Sequence, residues 1–323
     1  MKPRAVVFAY HNVGVRCLQV LLARGVDVAL VVTHEDSATE NIWFGSVASV
    51  AASYDIPTVT PADPRSAELR AAVSAARPDF IFSFYYRHML PVDLLALAAR
   101  GAYNMHGSLL PRYRGRVPVN WAVLNGERET GATLHVMTVK PDAGEILAQQ
   151  SVPILPDDTA VEVFRKVTVA AELALADVLP ALIAGTAVRR TQDLAAGSYF
   201  GGRTAKDGGI DWRRGVQAVH NLVRAVAPPY PGAFSEADGR PLRVLRSRVL
   251  DSVPSAASGT AANSAAGGVR VPRLRWRDGM LLAECADGVL QLLEFELDAG
   301  VDTAAKFQAR FGDAALPLRA YME

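Results

Sequence analysis

The chain has little cysteine: two in 323 residues, Cys17 and Cys285. They lie far apart with no metal-ligand spacing, which excludes a disulfide framework. Both read as small hydrophobes in a reducing compartment. An excess of charge of one sign is also missing. Lys and Arg number 34 against 33 Asp and Glu, a formal net charge of +1, which gives no global attraction to nucleic acid or to an anionic membrane. No apolar run approaches the roughly 18 residues that span a bilayer. The apolar stretch in MKPRAVVFAYHNVG is too short for a signal core and leads into His11 and Asn12 rather than a small-residue cleavage site. A cytoplasmic location without membrane insertion is the expectation.

Several motifs are absent. No GxGxxG follows the first apolar run, so Gly14 reads as a helix start rather than part of a dinucleotide fingerprint. There is no GxxxxGK[ST] phosphate loop, no HExxH metal site and no nucleophile elbow. No metal is expected.

What is present is an alternation. Apolar, β-branched runs at Arg4–Tyr10, Asp27–Thr33, Pro57–Thr60, Asp79–Phe84 and Ala102–His106 alternate with helical stretches at Gly14–Leu22, Phe44–Tyr54, Ser66–Ala76 and from Pro91. Strands that are apolar throughout predict a parallel sheet covered on both faces. Ligands bind beyond the carboxyl ends of such strands, so Tyr10, Thr33, Tyr85 and His106 are expected to line one crevice. Thr130–Val139 and Glu145–Pro153 read as two further strands joined by the turn KPDAGE. A long helix then runs from a cap at Asp158 or Thr159 to about Ile183.

From about Thr191 the alternation stops. A glycine-rich segment (Gly197–Gly209), a helix (Arg214–Val226) and a rigid turn, PPYPGAF, lead into short strands at Leu242–Leu250, Val269–Trp276, Met280–Cys285 and Val289–Phe295. Short strands with frequent turns predict a small OB-like β-barrel. Ser252–Gly268, of low complexity, reads as a flexible loop within it. The fold class is therefore α/β, a Rossmann-like parallel-sheet domain followed by a small C-terminal β-barrel. The expected boundaries are 1–190 for the first domain, 191–210 for a linker and 211–323 for the barrel. The arginines at 243, 246, 248, 270, 273, 275 and 277 are offset by nearby carboxylates and read as a mixed surface rather than a nucleic-acid face.

The chemistry concentrates in GAYNMHGSLLPRYRGRVPVNW, from Gly101 to Trp121. A strand carrying Asn104 and His106 two residues apart puts both side chains on one face. Histidine transfers protons near neutral pH, and asparagine can donate hydrogen bonds to a developing oxyanion. Asp142 in KPDAGE would complete a set suited to acyl transfer to an amine, although an aspartate in a turn is also a common turn former. His135, in the middle of TLHVM, reads as structural. His11 and His88 sit at strand ends and are plausible binding residues. Arg112, Arg114 and Arg116 form either a solvated basic loop or a clamp for an anionic substrate.

These residues carry a family resemblance. NMHGSLLPRYRGRVPVNW, TGATLHVM and KPDAGEI resemble the folate-dependent formyltransferases, which include methionyl-tRNA formyltransferase and the sugar N-formyltransferases. FAYHNVG, FSFYYRHML and NLVRAVAPPYPGAFS resemble the formyltransferase half of the bifunctional polymyxin-resistance enzyme, which formylates UDP-4-amino-4-deoxy-L-arabinose in lipid A modification. The resemblance implies 10-formyltetrahydrofolate as donor and a nucleotide-linked amino sugar as acceptor. It implies that His106 transfers the proton, Asn104 stabilises the oxyanion and Asp142 raises the basicity of His106. Folate would lie along His88, Met89 and Leu90, near Arg116, and over Thr138, Val139, Lys140, Pro141 and Asp142. Tyr10, His11, Arg112 and Arg114 are the candidates for substrate contact. The decarboxylase activity of the bifunctional relative would belong to a separate partner protein. Two alternatives stand beside this reading. A tRNA substrate requires cations at the crevice, whereas THEDSATENIWF carries Glu35, Asp36 and Glu40 and no Lys or Arg. A non-catalytic regulator that binds folate or a nucleotide sugar would have no need of the Asn–His–Asp set.

Overall fold

The computed structural model describes residues 2–37, 40–250, 271–298 and 300–321. In chain order these form β1 (Arg4–Ala9), α1 (His11–Ala23), β2 (Asp27–Val32), α2 (Val47–Ala52), β3 (Thr58–Val59), α3 (Ala67–Ala76), β4 (Phe80–Phe84), α4 (Val92–Leu95), β5 (Ala102–His106), β6 (Arg114–Gly115), α5 (Pro118–Leu124), β7 (Glu129–Val136), β8 (Ile146–Pro153), α6 (Ala160–Ala184), β9 (Tyr199–Phe200), α7 (Val216–Ala225), β10 (Ala233–Ala237), β11 (Arg240–Leu250), β12 (Arg273–Arg277), β13 (Met280–Glu284), β14 (Val289–Leu297), α8 (Ala304–Phe311) and β15 (Leu316–Arg319). The helix ends follow local chemistry. The Ser66 side chain accepts from Leu69 N–H at the start of α3, and Gly25, with φ of +76°, follows the end of α1.

The chain divides into two compact units. The first comprises 1–119, 129–153 and 163–202; the second comprises 120–128, 154–162 and 203–323. In the first, a seven-stranded sheet has the order β3-β2-β1-β4-β5-β7-β8. β1 to β5 pair in parallel, while β7 and β8 pair antiparallel to their neighbours. The sheet is thus mixed rather than parallel throughout, because a short turn between β7 and β8 permits only antiparallel neighbours. Ala5, Val6, Val7, Phe8 and Ala9 of β1 are all fully buried, as expected of a central strand covered on both faces. Val6, Phe8, Leu30, Val32 and Ile81 pack with Leu69 and Val73 of α3 and Leu94 of α4. By length and apolar composition α6 could span a membrane, although its apolar residues form no long uninterrupted run. Five charged residues interrupt it: Glu162, Arg165, Lys166, Glu172 and Asp177. Its buried side chains, Val163, Val167, Ala170, Ala174, Leu175 and Leu179, recur at the spacing of one helix face, the pattern of a core helix.

In the second unit six antiparallel strands close a barrel in the order β10-β11-β14-β13-β12-β15. Leu242, Val244, Leu274, Leu281, Leu290, Phe295, Leu297 and Leu318 fill it together with Trp212, whose Nε1 donates to Ser235 Oγ at 2.7 Å. β10, β15 and α8 were not foreseen from sequence. The turn expected through Phe234 ends earlier, since Ala233 and Phe234 already belong to β10. The strand expected from Val269 is observed from Arg273, and Ser252–Gly268 lies outside the described residues. The arginines pair across strands as the mixed-surface reading requires: Arg243 with Glu296 at 3.4 Å and Arg275 with Glu284 at 3.2 Å.

Candidate active site

Strand order reverses between β1 and β4, and their carboxyl ends flank the position where such sheets bind ligands. β5 delivers Asn104 and His106 beside this point. The antiparallel register of β5 and β7 sets Asn104 opposite His135 and His106 opposite Thr133. Paired residues share a face, so His135 joins the cluster. Asp142 comes from the β7–β8 turn. Its Oδ1 lies 3.5 Å from His106 Nδ1 and 3.5 Å from His135 Nε2, and its Oδ2 accepts from Gly115 N–H at 2.9 Å.

The hydrogen bonds fix the tautomers. His106 Nε2 lies 2.8 Å from the Tyr113 carbonyl oxygen. A carbonyl can only accept, so Nε2 carries the hydrogen, and the bare nitrogen of the neutral ring is Nδ1, facing Asp142. His135 Nδ1 likewise donates to Val136 O at 2.9 Å, and its Nε2 accepts from Asn104 Nδ2 at 3.1 Å. This orients the Asn104 amide and leaves its second N–H for another acceptor. Burial lowers the pKa of His106 below the usual imidazole value, and Asp142 and the Tyr113 carbonyl oppose this without overcoming it. Burial works to raise the Asp142 carboxyl, but the positive charge that His106 carries when protonated and the Gly115 N–H hold it below the usual carboxylate range. The resting pair is therefore a neutral imidazole beside a carboxylate, ready to take up a proton.

The surrounding backbone is unusual. His11, Tyr85, Tyr113, Val117 and Asp142 all have positive φ. Such conformations are rare for side chains with a Cβ, most of all for β-branched valine, and they cluster at functional sites. At Gly115, φ is +97° and an added Cβ would lie 2.2 Å from Phe200 O. Glycine is required there for β6 to reach β9 and still present its N–H to Asp142. At Gly144 an added Cβ would lie 1.9 Å from Val136 O, which lets the Asp142 turn fold against β7.

The residues assigned to ligands fall into different environments. Leu90 is buried in the core cluster against which Met137 also packs. His88, Met89, Thr138, Val139 and Lys140 are exposed, and Pro141 is half-buried. Arg112 and Arg116 are exposed. Arg114 is buried and directed to the carbonyls of Leu194 and Ser198, each at 3.4 Å; it holds the 194–198 segment and is not an open anion clamp. Tyr10 is buried and donates to Asp36 Oδ1 at 2.7 Å. His11 packs among Trp43, Phe44 and Phe164, and burial together with the charge of Arg87 lowers its pKa to about 3. Within the acidic segment, Glu40 forms a two-point pair with Arg87, at 2.9 and 2.5 Å. Among the described residues no group of three or more His, Cys, Asp or Glu could hold a metal ion.

Sequence reasoning missed two participants. His135 was read as structural, and only the β5/β7 register connects it to Asn104. Gln192, in the segment read as a linker, donates Nε2 to the carbonyls of Asp142 and Gly144 at 3.1 and 2.5 Å. No local pattern around Gln192 signals this role.

The solved structures similar to this chain share its fold. An N-formyltransferase from Helicobacter canadensis, in complex with folinic acid and dTDP-3-aminofucose, is 19% identical with a TM-score of 0.67, over 90% of this chain and 99% of that one. WlaRD, a sugar 3N-formyltransferase crystallised with dTDP and 5-N-formyl-THF, is 18% identical with a TM-score of 0.68, over 90% and 97%. HypX from Aquifex aeolicus, in complex with tetrahydrofolic acid, is 17% identical with a TM-score of 0.61, over 95% of this chain and 47% of that one. At these identities the likeness speaks for architecture. The family itself is shown by the sequence: residues 203–308 match the formyl transferase C-terminal domain, residues 8–179, more than half of the chain, match the formyl transferase family, and the chain belongs to that family.

Proposed function

We propose that this chain transfers a formyl group from 10-formyltetrahydrofolate to the amine of a nucleotide-linked amino sugar. The acceptor best matched by its sequence is UDP-4-amino-4-deoxy-L-arabinose, which would give it a part in lipid A modification and polymyxin resistance. The observation that carries this proposal is the meeting of Asn104, His106 and Asp142, with His106 neutral and its bare Nδ1 beside the carboxylate. Two similar structures, from proteins only 18–19% identical, hold a folate together with dTDP or a dTDP-amino sugar.

The donor supplies a formyl carbon bonded to a nitrogen that can leave. The residues assigned to it fit such a molecule. Met89 and Val139 are 60% and 77% exposed, apolar side chains of the kind a flat ring can cover. The chain's own residues then have distinct tasks. His106 takes the proton lost by the attacking amine at Nδ1, Asp142 favours the imidazolium that forms, and the proton passes to the donor nitrogen as its bond to the formyl carbon breaks. The second N–H of Asn104 faces the negative charge that develops on the formyl oxygen; losing one such donor costs about 3 kcal/mol. His135 holds the Asn104 amide in that orientation. Arg112 and Arg116 offer exposed positive charge to the diphosphate.

The test is a panel of nucleotide amino sugars incubated with 10-formyltetrahydrofolate and followed by mass spectrometry. UDP-4-amino-4-deoxy-L-arabinose should gain one formyl group, and His106→Ala and Asn104→Ala should abolish the gain while changing folate affinity only a few-fold. Absence of formylation across the panel, or full turnover by His106→Ala, would overturn the proposal. Tight, salt-sensitive retention of initiator tRNA would favour the tRNA reading instead.

A further inference from the structure

The turn that carries the Asp142 carboxylate is closed at its base by Val136 N–H, which donates to Glu145 O at 2.9 Å, but the carbonyls on either side of its tip are held from outside the turn. Asp142 has φ of +52°, a left-handed conformation that residues with a Cβ seldom adopt. The Asp142 and Gly144 carbonyls both point toward one side-chain amide, Gln192 Nε2, at 3.1 and 2.5 Å. An amide NH₂ has two hydrogens, one for each carbonyl, so a single side chain holds both carbonyls from about fifty residues away in sequence.

Gln192 is itself anchored. It is nine-tenths buried. Two residues before it, Arg190 and Ile146 exchange both backbone hydrogen bonds, at 2.8 and 2.9 Å. Directly after it, Asp193 Oδ1 accepts from Ala195 N–H at 3.0 Å. Further along, Tyr199–Phe200 pairs with Arg114–Gly115, whose Gly115 N–H holds Asp142 Oδ2. The 190–200 segment therefore bears on Asp142 in two ways, directly on its backbone through Gln192 and indirectly on its carboxylate through the pairing of β9 with β6, whose Gly115 N–H binds Oδ2. The other carboxylate oxygen remains directed at His106 from β5 and His135 from β7.

We infer that Gln192 is a positioning residue for the reaction, keeping the Asp142 carboxylate directed at His106 through the backbone of the 142–144 turn. This role rests on the assignment of His106 as the proton acceptor and Asp142 as its partner. Gln192 does not touch the reacting atoms. Without its amide the turn can relax to a commoner backbone conformation and carry the carboxylate away from the imidazole. Glutamate at this position would set oxygen against two carbonyl oxygens and have the same effect at unchanged volume.

The experiment compares Gln192→Ala, Gln192→Glu and Asp142→Asn with the parent protein. The first readout, made without substrates, is the NMR titration of the His106 imidazole. The second is the pH profile of kcat and KM with 10-formyltetrahydrofolate and UDP-4-amino-4-deoxy-L-arabinose. In both Gln192 variants the His106 midpoint should fall by about one pH unit and kcat by roughly 10- to 100-fold, the scale of a displaced catalytic group, with KM for folate little changed. If Gln192→Ala does not fold, the isosteric Gln192→Glu carries the same test. The inference is overturned if either folded variant keeps the parent's His106 midpoint and kcat profile, whatever its melting temperature. Should Asp142→Asn also leave both unchanged, the assignment of the Asp142–His106 pair fails; should Asp142→Asn move them while the Gln192 variants do not, only the role of Gln192 fails.

Discussion

Replacing Asp142 with asparagine removes a negative charge 3.5 Å from His106 Nδ1 while keeping the shape of the side chain. At that separation a carboxylate and an imidazolium attract by about 5 kcal/mol at an effective dielectric constant of about 20, and by about 1 kcal/mol in bulk water. The pair is nearly buried, with side-chain exposures of 7% and 13%, so a value of about 3 kcal/mol is a fair working figure. Losing that attraction lowers the pKa of His106. The sense of the change is definite. In the parent, burial already holds His106 below the ordinary imidazole value against the pull of Asp142. Without the carboxylate, burial acts with less opposition and the midpoint falls further. The asparagine adds a second effect. Its oxygen accepts from Gly115 N–H as before, so its NH₂ turns toward the imidazoles and can hydrogen-bond the bare Nδ1 itself. The expected outcome is a fall in kcat of roughly 10²-fold or more, with KM for folate within a few-fold and the acidic limb of the kcat profile moved to lower pH. Stopped-flow absorbance of tetrahydrofolate release and NMR titration of His106 measure the two parts separately. An unmoved His106 midpoint in a folded Asp142→Asn protein would refute the coupling.

Other consequences can be measured alongside. His135→Phe should lower kcat roughly fivefold or more, because Asn104 loses the acceptor that orients it and a buried hydrogen bond is worth about 1 kcal/mol or more; an unchanged rate would reduce His135 to a packing role. Gly115→Ala should lower the melting temperature and the rate together, since a Cβ there meets Phe200 O and the φ is left-handed; calorimetry and steady-state assay read both. Trp212→Ala should cost about 3–5 kcal/mol in chemical denaturation by emptying the barrel of a fully buried ring. The pH dependence of stability has a fixed sign. His106, His220 and His11 have lowered values in the fold, His11 down to about 3, so their contributions are fully present above the unfolded imidazole value of about 6.5 and are lost as pH falls below it. Asp142, also lowered, adds a further loss below about pH 4. Urea midpoints should therefore decline steadily from pH 7 to pH 4, and a flat profile would contradict the buried, neutral state of these rings.

What the sequence settled by itself is what local periodicity can carry. Apolar runs bounded by helix signals specified β1, β2 and β4, because a central strand covered on both faces must be apolar nearly throughout. Asn104 and His106 were bound to share a face because a strand repeats every two residues. The glycine and proline signals around KPDAGE were enough to place Asp142 in a turn, but not to aim it. The tertiary structure decided the rest by bringing distant segments into register. His135 enters the site because β7 pairs with β5 at Asn104, and a shift of one residue would have turned it to the other face. Arg114 resembles its two neighbouring arginines in sequence, yet the pairing of β6 with β9 turns it inward to backbone carbonyls while Arg112 and Arg116 remain exposed. β10 and β15 became strands only when each found partners across the barrel, since their short mixed patterns acquire hydrogen bonds through closure alone. Gln192 shows the division most plainly: nothing in its neighbours marks it, because the two carbonyls it holds lie some fifty positions earlier in the chain, and their approach is a property of the folded backbone rather than of any local run of residues.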